Sequence, residues 1–198
     1  SSGKSTLAKK MSIYYSAPLL SSGKLYRSIA LEIKNKKIDI SDKKRVTSII
    51  NKLQDFNLNS KNLFLIDIDK IASKISSKKY IRDRLKKYQQ EFPNRSARNA
   101  KYVIIEGRDI GTEIFPNARY KIFMWADAKV RAKRRFEQIT KNGQKVSLRK
   151  VYSEIVLRDS KDLNRKIAPL KPAVNSVLLD TTYLDIEQTF NVMNTILK

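Results

Sequence analysis

Cysteine and histidine are both absent from the 198 residues, and each absence removes a class of chemistry. Without cysteine there is no disulfide framework, no thiolate metal site and no sulfur nucleophile. Without histidine, serine–histidine–acid hydrolysis, imidazole general bases and histidine-ligated zinc are excluded. Glycine and proline number five each, too few for a collagen-like or linker-like chain. No apolar run approaches the length that spans a bilayer, and no basic segment followed by an apolar one opens the chain. A cytoplasmic protein without membrane association is the expectation. Acidic residues are scarce too: 19 Asp and Glu against 42 Lys and Arg leave a formal charge of +23. Such an excess favours anionic ligands, from a nucleotide to a nucleic acid. The plainer alternative is a solvated lysine-rich surface. RNA binding would then be weak, indifferent to sequence and steeply salt-dependent, with no specific nucleic-acid partner.

What is present suffices for one principal core, since 41% of the residues are hydrophobic. Helical spacing runs from Lys4 to Tyr14, through Leu25, Ile29 and Ile33, and through Val46, Ile49, Ile50 and Leu53. Ser21-Ser22-Gly23 reads as a turn, and Leu63 to Ile66 as a short strand. Ile68 to Ser76, Ile81 to Phe92, Val130 to Ile139 and Asp185 to Ile196 read as further helices. Three apolar segments stand out, Tyr102 to Ile105, Tyr120 to Trp125 and Ser176 to Asp180, the first and third being continuous β-prone runs flanked by helical stretches. That alternation predicts an α/β fold, a doubly wound parallel sheet with helices on both faces. The charged stretch from Lys141 to Lys171 has an apolar side at Tyr152, Ile155 and Val156, which predicts a helical hairpin. It is either a solvated face or a mobile cover over a polyphosphate.

Gly3-Lys4-Ser5-Thr6 has the form of the second half of a phosphate loop, followed at once by a helical pattern. Gly3 would let the backbone approach phosphate, Lys4 would reach the β- and γ-phosphates, and the Ser5 hydroxyl would ligate Mg²⁺. Glu106-Gly107-Arg108-Asp109 follows directly on a strand candidate, where open parallel sheets place their ligands. Arg108 offers a fork for phosphate, with a surface ion pair as the alternative. Arg158, Asp162 and Arg165 fall on one helical face at spacings of four and three. Internal pairing would explain one arginine, and the second leaves positive charge to spare for a transferring phosphoryl group.

The order of these segments resembles the bacterial cytidylate kinases over nearly the whole chain. The resemblance is carried by Ser22-Gly23-Lys24-Leu25-Tyr26-Arg27, by Glu106 to Pro116, by Lys121-Ile122-Phe123, by Arg158 to Arg165, by Ala168-Pro169-Leu170 and by Asp180-Thr181-Thr182. It implies a P-loop kinase fold and transfer of the γ-phosphoryl of ATP, with Mg²⁺, to CMP or dCMP in pyrimidine metabolism. It further implies ATP binding by Gly3, Lys4, Ser5 and Thr6. The acceptor phosphate falls to Arg27 and Arg108 with Ser22 beside them, cytosine to Ser73, Arg82 and Asp109, and sugar hydroxyls to Asp162. Lys4, Arg108, Arg158 and Arg165 are the expected catalytic group, and Ser5 the expected metal ligand. A kinase core over residues 1–37 and 72–198, a monophosphate-side insertion over 38–71 and a lid over 138–158 complete the expectation, with a monomer as the state.

Three departures temper the match. The first glycine of the phosphate loop and its preceding strand lie outside these residues, so the chain as written is expected to be a weak enzyme. Ser21 stands where an aspartate is usual, and Lys24 where a small residue is usual. The insertion is short, which loosens the expected grip on the base. The alternatives are therefore a UMP/CMP or broader nucleoside monophosphate kinase, or a degenerate kinase that binds RNA.

Overall fold

The computed structural model describes residues 2–97, 99–141 and 143–197. The chain falls into two compact units, Ser1–Ala17 with Arg108–Lys198, and Pro18–Gly107. In chain order the elements are α1 (Lys4–Tyr14), β1 (Leu19–Ser21), α2 (Ser22–Asn35), α3 (Lys43–Asn51), α4 (Ile66–Ile75), α5 (Lys79–Gln90) and α6 (Phe92–Ser96). There follow β2 (Ile104–Glu106), β3 (Ile122–Trp125), α7 (Ala128–Lys141), α8 (Leu148–Asn164), β4 (Val177–Asp180) and α9 (Ile186–Leu197).

In the Pro18–Gly107 unit, β1 and β2 pair in parallel, Leu19 opposite Ile104 and Ser21 opposite Glu106. Parallel partners need a long crossover, and α2 to α6 supply it. Leu25, Ile29 and Ile33 of α2 recur every fourth residue and are all buried, as are Ile68, Ala72 and Ile75 of α4 and Ile81 and Leu85 of α5. The Asp42 carboxylate caps α3 by accepting from the Arg45 amide at 3.0 Å, satisfying one of the donors that a helix start leaves open. Lys34 pairs with Asp67 between α2 and α4. Its hydrogen bond draws the Asp67 carboxyl below the ordinary 3.8, against a smaller opposing effect of burial.

In the other unit β3 and β4 pair in parallel, Ile122 opposite Val177 and Trp125 opposite Asp180. Their crossover is the α7–α8 hairpin, closed on Ala132, Ile139 and Val151. Ser147 caps α8 by accepting from the Lys150 amide. The charged stretch from Lys141 to Lys171, expected to be a helical hairpin, holds a single helix among its described residues, α8; the hairpin's other arm, α7, ends at Lys141, where the stretch begins. The mixed α/β architecture with parallel pairing is borne out, carried by two strand pairs.

Two local expectations are corrected. Leu63 to Ile66 is not a strand: Lys61–Phe64 forms a 3₁₀ turn and α4 begins at Ile66. The apolar run reflects burial instead, Leu63 being 1% exposed. Asp67 and Asp69 in the first turn of α4 favour the helix, since carboxylates complement its positive end. Among the described residues, 38–71 contain no strand. Ser21-Ser22-Gly23 is likewise not a free turn. Ser21 ends β1 in extended conformation and Ser22 begins α2, so two regular elements abut.

Candidate active site

In the unit holding both chain ends, the Gly-Lys-Ser-Thr segment starts α1. Gly3 caps that helix at φ 84, ψ −4, a left-handed conformation that costs glycine little and other residues more. The first amides of α1 lack intrahelical acceptors, and a helix start of this kind attracts anions. The Lys4 ammonium lies over the loop, 3.1 Å from the Ser2 hydroxyl. Ser5 and Thr6 are exposed. The loop is tied down by Thr181, 2% exposed, whose hydroxyl lies 3.1 Å from the Ser2 carbonyl and 3.0 Å from the Trp125 carbonyl. Ser2, Gly3 and Thr6 line a pocket of ≈ 430 Å³ with Arg134, Gln138 and Asp185, within the size range of small-molecule sites. Arg134 is fixed there by donating to the carbonyls of Thr181 at 2.8 Å and Leu184 at 3.1 Å.

The same unit gathers the arginines expected to act on phosphate. Asp162 of α8 is buried and lies 2.6 Å from Arg108 Nε, 3.5 Å from Arg165 Nη1 and 4.0 Å from Arg158 Nε. Arg165 is itself held by donating from Nε to the Ala168 carbonyl. Three guanidinium groups thus gather about one buried carboxylate, an arrangement whose positive field favours an anion. Asp162 Oδ2 meets these charges without an aligned hydrogen bond among the described residues, which leaves it acceptor capacity. Asp109, 6% exposed, opens a π turn over Ile110–Ile114 and accepts through its backbone oxygen from the Glu113 amide at 2.9 Å. Single π turns recur at functional sites. Arg131 of α7 pairs with Asp159 of α8 at 2.7 Å, bracing the hairpin.

The Pro18–Gly107 unit carries the remaining candidates. Ser22 is buried at the join of β1 and α2. At the paired strand ends, Ser21 Oγ donates to Glu106 Oε1. Arg27 of α2 donates from Nε to Asp69 Oδ1 at 2.7 Å. Arg82 of α5, 9% exposed, reaches back to the end of α4 and donates to the Ser76 carbonyl at 3.2 Å. The Ser76 hydroxyl in turn donates to the Ser73 carbonyl at 2.9 Å. Ser73 and Arg82 are thereby placed at one end of the α4–α5 pair.

Sequence reading gave no binding role to Arg134 or Asp185 on the pocket wall, took Gln138 there only as the edge of the lid, and passed over Asp69 beside Arg27. For the first three the available signals were the basic side of the α7 helix and the Asp180-Thr181-Thr182 segment after a strand. Nothing in the local pattern pointed to Asp69, because its pairing with Arg27 joins residues 42 positions apart.

Among the described residues no helix is long and apolar enough to cross a membrane. A glycine-capped helix start opening on a pocket of ≈ 430 Å³, with an arginine cluster in the same unit, fits a phosphate-binding α/β protein of the P-loop kind. The family model described as Cytidylate kinase matches residues 1–198, and the chain belongs to that family. It is 37% identical to the cytidylate kinase of Bartonella tribocorum over 192 residues, 96% of this chain and 87% of the relative. The cytidylate kinase of Thermosipho africanus is 39% identical over 207 residues, 96% and 87%. That of Rhodopseudomonas palustris strain ATCC BAA-98 / CGA009 is 37% identical over 186 residues, 94% and 86%.

Proposed function

We propose that this protein transfers the γ-phosphoryl group of ATP to CMP or dCMP, giving ADP and CDP or dCDP. Beside its family membership, the observation that carries the reading is the buried Asp162 ringed by Arg108, Arg158 and Arg165. An oxygen of the acceptor phosphate attacks the γ-phosphorus, and the bond to the β–γ bridging oxygen breaks with its electron pair leaving on ADP. Little covalent chemistry is asked of the protein, so positioning and charge stabilisation do the catalysis. A missing histidine base is therefore no obstacle.

On this reading Gly3, Lys4 and Thr6 take the polyphosphate of ATP at the start of α1, and Arg134 and Asp185 flank its nucleoside in the ≈ 430 Å³ pocket. Arg108, Arg158 and Arg165 meet charge that builds on the transferring oxygens. Ser22 and Arg27 take the acceptor phosphate together with Arg108. Ser73, Arg82 and Asp109 read cytosine, and Asp162 turns its unfilled acceptor capacity to the sugar hydroxyls. Residues 138–158 act as the lid that excludes water as a competing acceptor, and 38–71 as the monophosphate-side insertion. A cytoplasmic monomer, expected from the resemblance, belongs to the same reading.

Mg²⁺ fits the donors present. Ser5 offers one hard hydroxyl oxygen on an exposed helix start, and among the described residues no cluster of three or more Asp or Glu could hold a metal alone. Magnesium in such enzymes is held by few protein oxygens and mainly by substrate phosphates. When bound it would supply charge neutralisation for the polyphosphate of ATP.

A second reading, broader monophosphate acceptance, is favoured by the lack of any strand among the described residues of 38–71. Both readings require nucleotide binding. Thermal or denaturant unfolding with ATP and Mg²⁺, and separately with CMP, should show stabilisation of about 2.7 kcal/mol at one hundred times each dissociation constant. No stabilisation by any nucleotide at millimolar concentration would overturn both.

A further inference from the structure

Arg27 is held on three sides within the Pro18–Gly107 unit. Its Nε donates to Asp69 Oδ1 at 2.7 Å, and both side chains are only 18% exposed. Its guanidinium carbon lies 5.6 Å from the centre of the Phe64 ring, in the 3₁₀ turn that leads to α4. Nη1 packs against Gly23, where a Cβ would stand 3.0 Å from it. A side chain at position 23 would crowd Nη1 where it now lies. The carboxylate therefore takes the Nε side of the guanidinium, with the Phe64 ring and Gly23 as its other neighbours. A paired fork would consume the outer edge, but Asp69 engages Nε.

We propose that Asp69 is the positioning residue for Arg27, holding it by Nε so that its terminal Nη edge is presented to the acceptor phosphate. This rests on the assignment of Arg27 to that phosphate. Pre-orientation matters because a long arginine otherwise loses side-chain entropy on binding, and small misplacements in such sites cost large factors in rate. Two rival roles are distinguishable. Asp69 also lies in the first turn of α4, so it could serve helix stability alone. As a negative charge beside Arg27, it could instead weaken phosphate binding.

The test is steady-state kinetics on Asp69→Ala, Arg27→Ala and the double variant, with unfolding temperatures recorded alongside. Asp69→Ala should raise KM for CMP about tenfold, leave KM for ATP within about twofold, and add nothing once Arg27 is already alanine. Asp69→Asn, whose Oδ1 can still accept from Nε, should recover most of the loss. If the alanine variant is unfolded, Asp69→Ser, too short to reach Nε, carries the same expectation. An unchanged or lowered KM for CMP in Asp69→Ala, equal defects in Asp69→Asn and Asp69→Ala, or an undiminished effect in the Arg27→Ala background would overturn the proposal. If Arg27→Ala itself leaves KM for CMP unchanged, the assignment of Arg27 falls and the role of Asp69 with it. A damaging Arg27→Ala beside a silent Asp69→Ala overturns the positioning role alone.

Discussion

Replacing Arg108 or Arg165 with alanine should lower kcat/KM for CMP roughly 10²- to 10³-fold, the ~2.7–4 kcal/mol typical of losing one donor to transition-state charge. The two changes differ in their collateral effects. Arg108 is partly exposed, its side chain at 35%, and contacts Asp162 from outside the α8 helix. Its loss should cost some stability, because the buried Asp162 carboxylate keeps only the more distant Arg158 and Arg165. Arg165 is 13% exposed and also donates to the Ala168 carbonyl. Its loss should cost stability as well, because a buried carbonyl is left without its donor. Unfolding curves alongside kinetics separate these effects, and the rate loss should fall on kcat if the contact is made chiefly in the transition state. Near-wild-type turnover in both variants would remove the arginine cluster from the mechanism.

The second large effect is expected at the base. Arg82→Ala should reduce kcat/KM for CMP a hundredfold or more while leaving KM for ATP unchanged. A site that recognises its ligand by hydrogen bonds penalises an unpaired buried polar group far more than a site that recognises shape. Arg82 also caps α4 through the Ser76 carbonyl, so a stability loss of about 1 kcal/mol should accompany the change. Ser73→Ala removes a hydroxyl without touching that cap and should show a smaller, purely kinetic effect in the same direction. If both variants use CMP as well as the parent does, the base is read elsewhere.

Much of the fold is legible in the sequence because its helices carry regular apolar stripes. Leu25, Ile29 and Ile33 announce α2 by spacing alone, and the same residues fill the core. α1 begins at Lys4, as the phosphate-loop motif requires. Leu63 to Ile66 misleads for a physical reason. Four apolar residues in a row resemble a strand, yet here a 3₁₀ turn buries Leu63 and runs into a helix, with Phe64, Leu65 and Ile66 half-buried. The join of β1 to α2 was hidden for a related reason: Ser-Ser-Gly carries turn chemistry, yet pairing with β2 extends the first serine and α2 claims the second.

The candidate site was legible where chemistry concentrates in short motifs. The α8 spacing alone brings Arg158, Asp162 and Arg165 together. Arg108 joins them only through tertiary structure, 54 positions before Asp162. The same limit hid Asp69 and the carbonyl anchoring of Arg134. Neither belongs to a motif, and each acquires meaning only from a partner distant in sequence.

The central claim is phosphoryl transfer from ATP to a cytidine monophosphate, and a panel assay of purified protein tests it most directly. ADP formation would be followed with ATP and Mg²⁺ against CMP, dCMP, UMP, AMP and GMP, each measured with an Arg108→Ala control. The account predicts ADP formation that depends on CMP or dCMP, is strongest with those two acceptors, and falls at least a hundredfold in the control. Acceptor-independent ATP hydrolysis unaffected by Arg108→Ala, or no turnover with any monophosphate, would contradict it.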